Sequence, residues 1–158
     1  MSPGNFKINL KLLYLIKQYL KNNFWKEELP IKKFEVNYGK GRYNVTLTIT
    51  FTGNGFIGQL LGGEQPHVGA VVLSVPRLSL AEPLKTSCNS IVVPVLGHKD
   101  DEIAKPIAEE IAKRYSKTVA LVAGVHIDKA CLADIRILIG NCRKAVQIFF
   151  EEYDKTIK

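Results

Sequence analysis

The sequence predicts an α+β domain: a mainly antiparallel sheet of about six strands with helices packed on it. Three observations carry this. Apolar and polar residues alternate along much of residues 34–75. Helical spacing takes over at 103–115 and again from 132 to 153. Clusters of Gly, Pro and Asn separate the segments. At 158 residues the chain fits a single domain, read as a helical extension over 1–30 and an α+β core over 31–158.

Leu10–Phe24 is predicted to be an amphipathic helix, with Leu12, Leu13, Ile16, Tyr19 and Leu20 on one side and Lys7, Lys11, Lys21 and Asn22 on another. Pro30 closes it. A meander follows. Phe34, Val36 and Tyr38 alternate with polar residues up to the turn Gly39–Arg42. Tyr43, Val45, Leu47, Ile49 and Phe51 then alternate with Asn44 and four threonines, giving a strand with one buried and one wet face. Gly53-Asn54-Gly55 makes a hairpin turn into a third strand, Phe56–Leu61.

Val68–Val75 is apolar on both faces and is expected to be a central strand, and Pro76–Ser87 a polar loop. Asn89–Leu96 is a fifth strand, placed at an edge or an end by Pro94. Ile103, Ile107 and Ile111 mark a helix over 103–115, with Pro106 near its first turn or kinking it. Thr118–Val125 is a sixth, largely apolar strand. A long C-terminal helix runs from Leu132 to Tyr153, and Cys131 and Cys142 are assigned to its apolar stripe and to the core.

Composition narrows the function classes. Hydrophobic residues make up 46%, which argues against disorder. No signal peptide and no transmembrane span is expected, and three scattered cysteines fit a reducing, cytoplasmic compartment. The net charge of +7 lies mostly before Tyr43. A nucleic-acid or membrane-surface role would have to sit there, and a solvated lysine face is the simpler reading, so neither nucleic acid nor membrane is expected as a partner.

All three histidines stand beside glycines at strand ends: His67 in Gly62–Gly69, His98 in Gly97–Asp101 and His126 in Gly124–Asp128. The second and third segments precede helices. A helix N-terminus offers free N–H groups and a field that favours an anion, glycines allow close backbone approach, and Lys99 adds charge. This points to a pocket for a phosphate or carboxylate. The plainer alternatives are turn glycines, with Asp100, Asp101 and Asp128 as caps. A metal centre built from His67, His98 and His126 with Asp100 or Asp128 is a further alternative, although spacings near 30 residues carry no ligand signature. No nucleophile motif is present around Ser87 or Cys88.

Four runs carry a family resemblance: Gly63-Glu64-Gln65-Pro66-His67-Val68-Gly69-Ala70-Val71, Pro76-Arg77-Leu78-Ser79, Gly97-His98-Lys99-Asp100-Asp101-Glu102 and Gly124-Val125-His126-Ile127-Asp128. In order and spacing, residues 62–141 resemble the prenylated-flavin chaperone-like domain of the small D subunit of gallate decarboxylase. The resemblance implies a fold like that of proteasome-assembly chaperones, and a homodimer. It implies an accessory rather than catalytic role, helping a UbiD-type decarboxylase acquire or keep prenylated FMN, or assemble. Prenylated FMN or FMN is then the expected ligand, with no cofactor tightly held. The ligand-binding set it implies is Gly63, Pro66, His67, Gly69, Arg77, Ser79, Gly97, His98, Lys99, Asp100, Gly124, His126 and Asp128, with no metal assigned. Lys99 and Arg77 suit a flavin phosphate. The competing functions are a small metal- or phosphate-dependent enzyme using the three histidines, and an assembly chaperone for another complex such as the proteasome.

Overall fold

The computed structural model describes residues 32–82 and 84–157. The expected N-terminal helix lies outside them, as does most of the lysine-rich segment. Six strands form one sheet: β1 (Lys33–Tyr38), β2 (Val45–Phe51), β3 (Gly55–Gly63), β4 (Ala70–Leu78), β5 (Thr86–Pro94) and β6 (Thr118–His126). Two helices follow β5 and β6: α1 (Asp101–Tyr115) and α2 (Leu132–Thr156). The α+β class and strand number match the sequence reading.

The topology corrects it. The order is β1-β2-β3-β6-β4-β5, and β3 pairs parallel to β6, so the sheet is mixed rather than mainly antiparallel. The β4–β5 hairpin and α1 together form the crossover between β3 and β6. A parallel neighbour requires such a long connection, and no local alternation pattern can announce it.

One face of the sheet is buried under both helices. Across it run rows such as Leu47–Leu60–Ala123–Ala70 and Ile49–Gly58–Leu121–Val72, matched by the ladder registers. α1 lies over β4, β5 and β6, and α2 lies over β1 and β2. The opposite face keeps Ile57, Val71, Leu73, Val75, Ile91 and Val93 exposed. β4 is therefore interior to the sheet as expected, but it alternates buried and exposed rather than being covered on both faces.

Two other expectations change. The predicted loop over 76–87 is shorter, because the β4–β5 ladder continues to Leu78 opposite Thr86. Pro76 is tolerated there because pairing with β6 has already stopped at Ser74. Cys131 is exposed and is the N-cap of α2 rather than core. Asp134 accepts its backbone N–H at 2.8 Å, closing a capping box. Cys142 is fully buried as expected, and burial pushes its thiol up to about 12.

Pro94 sits at the end of edge strand β5. The Val95 N–H donates to the Gly69 carbonyl at 2.8 Å, so the position before it points its backbone nitrogen away from β4. A proline there costs no ladder bond. Pro106 lies within α1 at its sixth residue.

Aromatic rings fill the core at one end of the sheet. Tyr115 near the end of α1 meets Phe150 and Tyr153 of α2 at centroid distances of 5.9 and 4.9 Å, and Phe51, Phe56 and Phe149 pack alongside. This cluster ties the C-terminal parts of the helices together. No helix among the described residues is long and apolar enough to cross a membrane.

Candidate functional site

The strand directions bring the three Gly–His segments together. β3 and β6 run parallel and finish side by side, Gly63 opposite His126. β4 starts at this end, with Ala70 opposite Ala123. β5 returns to it, with Pro94 opposite Ala70. The segments holding His67, His98 and His126 thus leave one edge of the sheet, at the start of both helices.

His67 and His98 are in direct contact: His67 Nε2 lies 2.8 Å from His98 Nδ1, with ring centroids 4.3 Å apart. The His67 Nδ1–H donates to the Gln65 carbonyl at 3.0 Å. A carbonyl can only accept, so Nε2 of the neutral ring carries the lone pair. Asp100 Oδ2 stands 3.3 Å from His67 Nε2 and 3.7 Å from His98 Nδ1. The other carboxylate oxygen, Oδ1, accepts the Val125 N–H at 2.8 Å. Asp100 is at the N-cap position of α1, but its side chain makes no cap bond; it ties α1 to β6 instead. It is one of two buried polar residues among those described.

His126 forms a second, more exposed group. Its ring is 6.1 Å from that of His67, and its Nε2–H donates to Asp128 Oδ1 at 3.0 Å. Asp128 also accepts from Gln65 Nε2 at 3.1 Å. Glu64 accepts the Asp128 backbone N–H at 2.9 Å, and Arg42 donates to both Glu64 and the Asp128 carbonyl. Two of the glycines at this end hold the His67 loop in place. A Cβ on Gly124 would collide with the His67 carbonyl, and one on Gly69 would collide with the Asp100 carboxylate. These glycines let the His67 loop lie flat against β6 and Asp100.

Beside this cluster the two helices line a cleft of about 770 Å³. Its walls are aliphatic, from Ile103 and Ile107 of α1 and Ile135, Leu138, Ile139 and Val146 of α2. His98, Lys99, Asp100 and His126 line it, as do Arg143 and Gln147 of α2. The volume is in the range of roughly 300–1,000 Å³ typical of small-molecule sites.

Of the sequence-predicted set, Gly63, Pro66, His67, Gly69, Gly97, His98, Lys99, Asp100, Gly124, His126 and Asp128 belong to segments at this end. Arg77 and Ser79 do not. They lie at the far end of β4, seven and nine residues past Ala70, which is about 23 Å along a strand for Arg77. The Arg77 guanidinium donates instead to Asn89 and the Leu78 carbonyl. The sequence reading missed Arg42, whose partners are 22 and 86 positions away, and the polar cleft residues Arg143 and Gln147. No local pattern marks either; Arg143 and Gln147 read as the solvent side of an amphipathic helix.

Comparison with known proteins agrees with this architecture. The chain of 158 residues overlays a chain from the crystal structure of a chaperone complex for yeast 20S proteasome assembly with a TM-score of 0.52, at 12% identity, over 81% of this chain and 98% of the other. At that identity the likeness concerns the fold. Among curated proteins, none is significantly similar in sequence. A family model, the prenylated flavin chaperone LpdD-like domain, matches residues 39–154. The match runs from the end of β1 almost to the end of α2 and includes all three histidine segments, so the chain belongs to the prenylated flavin chaperone LpdD-like family.

Proposed function

We propose that this protein is a non-enzymatic, chaperone-like accessory factor that holds prenylated FMN, or FMN, for a UbiD-type decarboxylase. The cleft between α1 and α2 carries the reading. A flavin combines a flat, largely apolar ring system with a phosphate. Aliphatic walls suit the ring, and Lys99 and Arg143 suit the phosphate. Both helices begin at this end, so their N-terminal fields favour an anion there. Arg143 takes the role that the sequence reading gave to Arg77.

Titration of the purified protein with FMN and with prenylated FMN, followed by thermal shift, tests this. Binding to the native state raises the melting temperature. Arg143→Ala and Ile139→Asp are expected to abolish the shift. Absence of a shift with either flavin at saturating concentration removes the support for cofactor handling.

A homodimer is part of the same proposal. Ile57, Val71, Leu73, Val75, Ile91 and Val93 form an apolar field on the open sheet face, of the kind that marks an interaction surface. Light scattering of the wild type is expected to give a dimer, and Ile91→Asp with Val93→Lys a monomer. The likeness to a proteasome-assembly chaperone supports a second reading, assembly of another complex. A pull-down recovering proteasome subunits and no decarboxylase would favour it.

A further inference from the structure

We propose that His67 Nε2, His98 Nδ1 and Asp100 Oδ2 form a binding site for a divalent transition-metal ion. The three atoms converge within 4.8 Å of one another. Their separations are 2.8, 3.3 and 3.7 Å. Ligands about 2.0–2.1 Å from a tetrahedral zinc ion stand roughly 3.3–3.4 Å apart. The triangle therefore needs movements of only tenths of an ångström to accept an ion.

The supporting shell is already oriented. The Gln65 carbonyl holds the His67 Nδ1–H, which fixes the tautomer with Nε2 bare and pointing into the triangle. The Val125 N–H holds Asp100 Oδ1 and leaves Oδ2 facing both rings. Gly69 provides the space for that carboxylate.

Without an ion, the His98 Nδ1–H can donate to His67 Nε2 at 2.8 Å. An ion bound in the triangle displaces that proton and takes a lone pair from each ring and from Asp100 Oδ2, which stands 3.3 Å from His67 Nε2. Asp101 and Glu102 follow Asp100 in the first turn of α1 and offset the charge of Lys99. Two imidazoles and one carboxylate, without thiolate, suit zinc or iron(II). Three protein ligands leave at least one coordination position for water or a ligand donor, and His98 and Asp100 also line the cleft. The His67 and His98 side chains are 22% and 35% exposed, so an ion can enter.

The test uses the full chain, stripped with chelator, and does not require the flavin reading to hold. Zn²⁺ titrated by calorimetry is expected to bind saturably at one ion per chain. Co²⁺ is expected to give the intense visible bands of a low-symmetry, four- or five-coordinate site rather than the faint spectrum of the aquo ion. His67→Ala and His98→Ala are each expected to weaken Zn²⁺ by more than the roughly ten- to hundred-fold that loss of an outer hydrogen-bond partner costs. A wild type with no saturable Zn²⁺ or with only the aquo-type Co²⁺ spectrum overturns the proposal, and neither reading depends on a variant folding. Binding that survives both substitutions, or that is lost only with His126→Ala, overturns it as well.

Discussion

Gly69 and Asp100 should behave as one unit, and a double-mutant cycle exposes this. Asp100→Ala removes the carboxylate oxygen that accepts the Val125 N–H at 2.8 Å. Losing this bond and the buried Asp100 carboxylate that makes it costs about 1–3 kcal/mol. Gly69→Ala places a methyl group where the Asp100 carboxylate stands. The carboxylate cannot retreat without releasing Val125, so this overpacking also costs about 1–3 kcal/mol. If the two losses were independent, the double variant would lose about 2–6 kcal/mol. In the structure the methyl collides with the group that Asp100→Ala deletes. The double variant should therefore be about as stable as Asp100→Ala alone, a coupling of about 1–3 kcal/mol. Urea unfolding in chelator, compared at constant m, measures all four corners. Additivity within about 0.5 kcal/mol would show that Asp100 does not occupy the space Gly69 leaves, and would refute the close approach on which the site geometry depends.

Two further outcomes are expected. Cys131 is exposed at the start of α2, whereas burial, and then the Asp100 charge, push the Cys142 thiol up to about 12. Iodoacetamide should modify Cys131 in the native protein and Cys142 only in denaturant, as read by peptide mass spectrometry; equal rates would contradict the described core. The Asp134 carboxyl is held at about 2, below its ordinary 3.8, first by the Tyr43 hydroxyl and then by the Cys131 N–H and thiol. A lowered folded value means its stabilisation is present above about pH 4 and is lost as pH falls through about 2. Tyr43→Phe should move the midpoint upward in a carboxyl NMR titration, and an unchanged midpoint would remove Tyr43 as the main cause.

Much of the fold was legible because its signals are local. Alternation marks β2, where Val45, Leu47 and Ile49 are all buried. Four-residue recurrence marks α1, where Ile103, Ile107 and Ile111 are buried. What failed was non-local or depended on the end of an element. The parallel β3–β6 pair closes across the intervening hairpin and helix. Cys131 fits the helical stripe by spacing, yet it falls at the N-cap, where a side chain has left the packed face. Leu132, also on the predicted stripe, is 74% exposed for the same reason. Arg77 entered the expected site through a shared sequence run, and the run continues along a strand that leads away from it.

The parallel pair that local patterning could not reveal is also what makes the site. Had β3 and β6 been antiparallel, Gly63 and His126 would leave opposite ends of the sheet, and the His67 loop would sit about a strand's length from β6's end. With the pair parallel, the chain must return to its starting end before β6 begins, and the β4–β5 hairpin plus α1 makes that return. The β5–α1 junction, which carries His98 and Asp100, is thereby set beside the end of β6. Both helices then start from the same edge; the aromatic contacts of Tyr115 with Phe150 and Tyr153 join their far ends, and the cleft lies at the near end. One topological choice thus accounts for the histidine cluster, the anchoring of Asp100 to Val125 and the open space next to them.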